Sequence, residues 1–187
     1  MIDVAPETLD SLAEKALAGD RQAFSAIVRQ MMTRVVALTY RITGNRETAL
    51  DLAQDTFVSA WENLRSYRGE SGLANWVFRI ATNKALNHLK AATRRRSQDN
   101  FDLNEMETND PGPDRILHRR ELAEQVRDFM VSLPPQQRAI FELRFYKEMP
   151  FEEIADALER AVGTVKTGYR EAVKKLRVHA LEKGWHG

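Results

Sequence analysis

Cysteine is absent from the 187 residues of this chain. Disulfide bonds, cysteine-ligated zinc and thiol catalysis are therefore excluded, and a reducing cytoplasm is a compatible location. No apolar run approaches the roughly 18 residues that cross a bilayer. The N-terminal stretch MIDVAPETLD lacks the basic and apolar regions of a signal peptide. With 43% hydrophobic and 29% charged residues, the composition is typical of a globular protein in water.

Strand patterns are absent as well, because valine and isoleucine recur at helical spacings and not in alternation. The sequence therefore predicts an all-α fold. Asp20 is suited to cap a helix N-terminus, Gly44-Asn45 interrupts the helical pattern, and a loop with two glycines covers residues 67–72. The predicted helices cover approximately residues 8–18, 20–40, 46–64, 73–95, 115–131 and 136–146, followed by two more after residue 150.

Charge is strongly segregated, although the formal net charge is only +1. Residues 65–96 carry eight lysines and arginines against one acid, Glu70, whereas residues 97–114 carry six acids and no base. The C-terminal helix is basic again. Two basic blocks on either side of an acidic segment favour two contacts with a polyanion, and the alternative is a set of solvated helix faces.

The acidic segment also marks the domain organisation. It is polar and ends in Pro-Gly-Pro, which is typical of a flexible linker. The length of the chain allows two small domains. We therefore predict a helical domain at 1–96, a flexible acidic linker at 97–114 and a four-helix domain at 115–187.

Residues 151–177, FEEIADALERAVGTVKTGYREAVKKLR, have the pattern of a helix-turn-helix. On a helical wheel the second helix has an apolar stripe through Val165 and an opposite face rich in bases. Lysine and arginine there can neutralise phosphates or donate to guanine edges. Gly163 is expected to allow a sharp approach between the two helices. A helical hairpin with a solvated basic face is the alternative.

Residues 49–64, ALDLAQDTFVSAWENL, form an amphipathic helix in which Trp61 joins the apolar stripe. The other face carries acids and exposes Val58. The spacing of these residues does not favour a partner-binding face over a solvated acidic face.

Together these segments resemble a bacterial extracytoplasmic-function (ECF) RNA polymerase sigma factor of the sigma-70 family. The similarity rests on AGDRQAF, on RITGNRETALDLAQDTFVSAWENLRSYRGESGLANWVFRIATNKALNHLK, on SLPPQQRAIFELRFYKEMPFEEIADAL and on VGTVK. It extends over nearly the whole chain. It implies a non-enzymatic initiation factor that works with core RNA polymerase in the cytoplasm, where a membrane anti-sigma factor could hold it at the inner membrane face.

The resemblance also implies roles for particular residues. Residues expected to bind core polymerase, through the β′ clamp, are Asp51, Gln54, Asp55 and Val58; the β flap is a further expected contact. Residues expected to read and help melt the −10 element are Tyr67, Arg68, Gly69, Glu70, Ser71, Asn83, Lys84 and Asn87. Residues expected to read the −35 element are Thr164, Lys166, Thr167, Arg170, Lys174 and Arg177.

Trp76 and Phe78 are candidates for stacking on unpaired bases, with core packing favoured for Trp76. The chain departs from the usual family pattern at Gly168, Glu171 and Val173, and at Pro150, where a serine or threonine cap is common. These positions are expected to affect the −35 preference. Gly168 is also expected to cost about 1 kcal/mol inside a helix.

Two other functions fit parts of the sequence. A free-standing helix-turn-helix regulator would explain residues 115–177 but not the block at 49–96. A nucleic-acid enzyme would need a catalytic constellation, and the four scattered histidines and the Glu152-Glu153 pair match none. We expect no catalytic residue, cofactor, metal site or small-molecule substrate. Promoter DNA, core polymerase and an anti-sigma factor are the expected partners.

Overall fold

The computed structural model describes residues 7–99 and 117–184. Within these residues the chain is helical and has no strand, which confirms the predicted all-α fold. The first helices are α1 (Leu9–Leu17), α2 (Arg21–Thr43), α3 (Arg46–Glu62) and α4 (Gly72–Asp99), with a 3₁₀ turn at Leu64–Ser66. The later ones are α5 (Leu117–Ser132), α6 (Pro135–Phe141), α7 (Phe151–Leu158) and α8 (Val162–Glu182), with a π-helical turn at Glu142–Tyr146.

Side-chain caps set the starts of the first helices. The Asp20 carboxylate accepts hydrogen bonds from the backbone N–H groups of Gln22 and Ala23 at 2.8 and 3.1 Å. Asn45 caps α3 in the same way, and Gly44 ends α2 in the left-handed conformation with φ 76°. These polar groups satisfy backbone donors that a helix terminus leaves without partners. The predicted cap and the predicted interruption are both confirmed.

The core of the first four helices forms around α2. Its inward face repeats every three or four residues and is fully buried, at Ile27, Met31, Val35, Leu38 and Ile42. This spacing is that of one helix face. The buried Thr39 hydroxyl lies within hydrogen-bonding distance of the carbonyls of Val35 (3.0 Å) and Ala49 (2.9 Å), so α2 and α3 meet without an unpaired polar group there.

A smaller cluster holds the last helices together. Phe129 of α5 and Phe141 of α6 pack edge to face at a centroid distance of 5.7 Å, with Ala172 of α8 buried beside them. Pro135 stands in the first turn of α6, where its missing N–H leaves no helical bond unmade. The expected four-helix C-terminal arrangement, with a helix-turn-helix at its end, is confirmed.

The two groups of helices also contact one another. Arg41 Nε of α2 donates to the buried Glu142 carboxylate at 2.7 Å, and Arg138 Nη1 donates to the Ile42 carbonyl at 2.6 Å. Asn75 of α4 donates to the Glu153 carboxylate of α7 at 2.7 Å. The contact between Asn75 and Glu153 joins the helix-turn-helix to α4, and the other two contacts join α2 to the π-helical turn and to α6.

Helix α4 continues to Asp99, three residues into the predicted linker. The rest of that linker lies outside the described residues, so the proposed domain limits remain a prediction. Among the described helices, none combines the length and apolarity needed to cross a membrane.

Candidate functional site

An open pocket of about 490 Å³ lies between the loop after the 3₁₀ turn and the first half of α4. Five of the eight residues predicted to read the −10 element line it together, four from the loop and Asn83 from α4. Its lining comprises Ser59, Asn63, Ser66, Tyr67, Arg68, Glu70, Ser71, Trp76, Arg79, Ile80 and Asn83. The volume is in the usual range for a pocket that receives a small planar group.

The lining of this pocket suits an unpaired nucleotide. Tyr67 and Trp76 pack at a centroid distance of 5.6 Å and offer aromatic surface. Arg68 and Arg79 are exposed cations at the rim, and Asn83 can pair with a base edge. Stacking, edge hydrogen bonds and neighbouring cations are the contacts by which proteins hold bases outside a duplex.

Several pocket residues were not predicted. Ser59, Asn63 and Ser66 come from the end of α3 and the turn after it, and Arg79 and Ile80 from α4. The α4 residues could have been found, because positions 76, 79, 80 and 83 lie at helical spacing on one face. The residues before the loop carry no comparable pattern.

The two aromatic candidates have different surroundings. Trp76 is half-buried: it packs against the core, as expected, and also lines the pocket. Phe78 is only 1% exposed, and its ring lies under the Arg34 guanidinium and the Lys147 ammonium at 5.1 and 4.8 Å. The idea that Phe78 stacks on a base is therefore wrong, because its ring is enclosed by the protein.

The remaining −10 candidates lie elsewhere. Asn87 lines a second groove of about 410 Å³ between α4 and the helix-turn-helix, which Asn83 and Thr164 also reach. Gly69 and Lys84 line neither cavity. Gly69 has φ 76°, so it shapes the loop through its backbone conformation.

The predicted −35 residues form an exposed face on α8, with one exception. Thr164, Thr167, Arg170, Lys174 and Arg177 are exposed. Lys166 is half-buried: its ammonium lies 3.4 Å from the Glu152 carboxylate and 5.8 Å from the centre of the Phe151 ring. Lys166 therefore stands at the edge of this face and already has an acidic partner on α7.

The turn of the helix-turn-helix does not depend on Gly163. Glu159 ends α7 in the left-handed conformation with φ 53° and ψ 49°, and α8 begins at Val162. A Cβ added at Gly163 would meet nothing within 4 Å. The expectation that Gly163 permits a close approach is wrong, because the sharp change of direction is made by Glu159.

Gly168 is where α8 approaches α6. A Cβ at Gly168 would lie 2.9 Å from Ile140 Cδ1, closer than real side chains pack. The neighbouring Val173 is half-buried against the Phe129 cluster, while Glu171 is exposed. Gly168 and Val173 are therefore explained by packing within the domain.

We expect the substitution Gly168→Ala to give none of the roughly 1 kcal/mol that alanine normally adds to a helix. In an Ile140→Val background, which removes Cδ1, the same substitution should recover that stabilisation. The free energies of unfolding from urea titrations of the four proteins measure this coupling. Gly163→Ala, which meets no neighbour, is the matched control. A gain of about 1 kcal/mol for Gly168→Ala alone would contradict the close contact.

The outer face of α3 is acidic with an apolar centre. The predicted residues Asp51, Gln54, Asp55 and Val58 are all exposed, and Val58 is 56% exposed. Two further apolar residues join this face: Leu50, 42% exposed, and Trp61, 40% exposed. Trp61, which was assigned to the apolar stripe, touches Phe24 at a centroid distance of 4.9 Å but remains accessible. An accessible apolar group surrounded by carboxylates is typical of a protein-binding surface.

Known protein families match both halves of this chain. The family model "Sigma-70 region 2" matches residues 27–95, and "Sigma-70, region 4" matches residues 123–176. RNA polymerase sigma-H factor of Pseudomonas aeruginosa is 30% identical, over 88% of this chain and 91% of its own. ECF RNA polymerase sigma-E factor of Escherichia coli K12 is 32% identical, over 83% of this chain and 85% of its own.

Solved structures share the fold. The sigma factor RpoE of Bartonella quintana, in complex with the anti-sigma factor NepR, superposes with a TM-score of 0.71 at 21% identity, covering 83% of this chain and 95% of that one. CnrH in complex with the cytosolic domain of CnrY gives 0.64 at 24% identity, covering 91% and 96%. Because both family models and the curated relatives extend across the two groups of helices, this chain belongs to the ECF sigma factors, which bind RNA polymerase and promoter DNA and direct promoter-specific initiation of transcription.

Proposed function

We propose that this sigma factor captures an unpaired base of the −10 element in the pocket beside residues 67–71. The observation that carries the proposal is the convergence of Tyr67, Arg68, Glu70, Ser71 and Asn83 on one pocket. Removing a base from the duplex costs a few kcal/mol of stacking and pairing. Contacts made only by the unpaired base offset that cost, and they couple recognition of the element to its melting.

The exposed face of α8 is the proposed reader of the −35 element. Arg170, Lys174 and Arg177 are exposed at successive turns of one helix, as major-groove recognition requires. Lys166 would exchange the Glu152 carboxylate for a DNA phosphate on binding, since the two side chains are 44% and 67% exposed and such a pair is weak.

The outer face of α3 is the proposed docking surface for core polymerase, with the β′ clamp as its partner and the β flap as a separate contact for the C-terminal helices. The polymerase supplies the phosphoryl-transfer chemistry, and this chain acts without catalysis of its own. Both partners, core polymerase and promoter DNA, place the function in the cytoplasm. The solved RpoE of Bartonella quintana is in complex with the anti-sigma factor NepR, which supports an anti-sigma factor as regulator here.

Transcription with purified core polymerase and a promoter library tests the proposal. Wild-type protein should select templates with two separated elements. Arg170→Ala should reduce initiation on those templates about tenfold and relax the −35 preference, because one arginine contact to a base is worth about 1–3 kcal/mol. Lys175→Ala, at a lysine that contacts Gln137 at 2.9 Å, is the matched control.

Two results would count against this assignment. Initiation from no template at all would remove the promoter-reading proposal as a whole. An unchanged −35 preference in Arg170→Ala would exclude this face of α8 as the reader and leave the −10 pocket to be tested by itself.

A further inference from the structure

Asp10 of α1 contacts the loop beside the −10 pocket, although it is 57 residues from Tyr67 in sequence. One carboxylate oxygen, Oδ1, accepts the Tyr67 hydroxyl at 2.8 Å and the Leu73 backbone N–H at 2.8 Å. The carboxylate also lies 4.0 Å from the place where a Cβ of Gly72 would stand. A single side chain thus holds both ends of the segment 67–73.

The bond to Leu73 is a helix cap supplied by another helix. Helix α4 begins at Gly72, and the N–H groups of a first helical turn have no partner within the helix. The Asp10 carboxylate satisfies one of them, and its negative charge is favourable at the positive end of the helix dipole. The start of α4 therefore depends on α1. The orientation of Trp76 and Asn83 toward the pocket follows from where α4 starts.

The bond to Tyr67 fixes the other end of the loop. The Tyr67 ring packs on Trp76, so the hydroxyl bond and the ring contact together allow this side chain little freedom. Burial, followed by the hydrogen bond to Asp10, raises the pKa of Tyr67 to about 12. The hydroxyl therefore remains protonated and can donate at any working pH. Arg68 and Glu70, which line the pocket, lie between these two fixed points.

We propose that Asp10 is a positioning residue for −10 recognition: it holds the loop in the shape that accepts the unpaired base without touching DNA itself. This inference rests on the proposed function of the pocket. It assigns to the N-terminal helix, which neither family model covers, a part in reading the promoter.

The test measures binding of single-stranded DNA to reconstituted holoenzyme. The probe is a fluorescent oligonucleotide selected by the wild-type holoenzyme from a random single-stranded pool. Asp10→Ala should weaken its binding about tenfold, which corresponds to about 1.4 kcal/mol and matches the usual loss of a helix cap. Binding to core polymerase and to a duplex with the −35 element should not change.

Three variants separate positioning from charge and from folding. Asp10→Asn keeps an acceptor oxygen and should retain binding within about threefold. Glu14→Ala removes the same charge one turn along α1, where the side chain makes no hydrogen bond within the described residues, and should bind as wild type. Adding Tyr67→Phe to Asp10→Ala should cause little further loss, because the hydroxyl bond is already broken.

Hydrogen exchange gives a readout independent of DNA. The Leu73 amide should exchange at least several-fold faster in Asp10→Ala, while the Ile27 amide in the core of α2 keeps its protection. Wild-type binding of the oligonucleotide by Asp10→Ala overturns the proposal, and so does an equal loss of core, duplex and single-strand binding. If the wild-type holoenzyme selects no single strand, the proposed function of the pocket fails and this inference fails with it.

Discussion

Replacing Glu142 by alanine should lower the free energy of unfolding by about 3 kcal/mol. The Glu142 side chain is fully buried and joins the two groups of helices through Arg41, with Lys147 Nζ at 3.9 Å from the other oxygen. Removing one partner of a buried pair leaves the remaining charges without compensation and typically costs about 3–5 kcal/mol. The lower end applies because Arg41 is 29% exposed and water can reach it.

The ionised form of the buried Glu142 side chain nevertheless costs free energy in the folded protein. Burial raises the pKa of Glu142 above its ordinary value, and burial lowers the pKa of Lys147. A carboxyl group whose pKa is raised by folding contributes its full stability below the unfolded pKa, and this contribution falls as the pH rises through the folded pKa. The free energy of unfolding of the wild-type protein therefore has a component, contributed by Glu142, that decreases as the pH rises above about 4.5.

Glu142→Gln separates the charge from the hydrogen bond. Glutamine keeps the shape and can still accept from Arg41, so its loss should be smaller than that of alanine. Its stability relative to wild type should increase as the pH rises from 4 to 7, because it lacks the component just described. Urea unfolding followed by circular dichroism at several pH values measures both effects.

The matched control is Glu171→Ala, an exposed glutamate on α8 whose removal should stay within about 0.5 kcal/mol of wild type. If Glu142→Ala were equally mild, the buried pair would not hold the two groups of helices together. If the stability of Glu142→Gln relative to wild type fell with rising pH, the assigned direction of the pKa shift would be wrong.

Reversing the charge at Asp55 should weaken binding to core polymerase about 30-fold. Asp55 is exposed on the outer face of α3, one helical turn from Asp51 and from the accessible Val58. Glu47, Asp51, Asp55 and Glu62 make this helix acidic, so a complementary partner surface carries positive charge. An arginine there would face like charge, and about 2 kcal/mol of lost attraction and new repulsion corresponds to that factor.

Fluorescence anisotropy of labelled sigma factor with core polymerase measures this loss. Binding of the same full-length variant to a duplex with the −35 element should not change. Glu14→Arg, an equal charge reversal on α1, serves as the comparison. If core binding and −35 binding fell together in Asp55→Arg, the division of labour between α3 and α8 would be incorrect. If neither affinity fell, the acidic face of α3 would be a solvated helix face with no part in core binding.

Local sequence was sufficient for many features of the fold. The cap at Asp20, the interruption at Gly44 and the proline start of α6 were predicted, since each depends on contacts within one turn. The role of Gly163 was misjudged, and the packing role of Gly168 was not predicted, for the opposite reason. Whether a glycine is required depends on what a Cβ would touch, and in Gly168 that atom belongs to Ile140, on a different helix.

The candidate site divides in the same way. Tyr67, Arg68, Glu70 and Ser71 are close in sequence and were identified as one loop. The contribution of Asp10 could not be predicted, because a carboxylate on α1 shows no preference for a backbone N–H 63 residues away until both helices are packed. The buried state of Phe78 and the accessibility of Trp61 also depend on which neighbours cover each ring.

By itself, the sequence determined that this chain is helical, carries a helix-turn-helix and has the motifs of an ECF sigma factor, because periodicity, caps and charge are local properties. Only the tertiary structure decided which side chains line the pocket beside residues 67–71, which lysine of α8 already has an acidic partner, and which charges are buried between the two groups of helices. These outcomes depend on distances between residues far apart in the chain, and packing sets those distances.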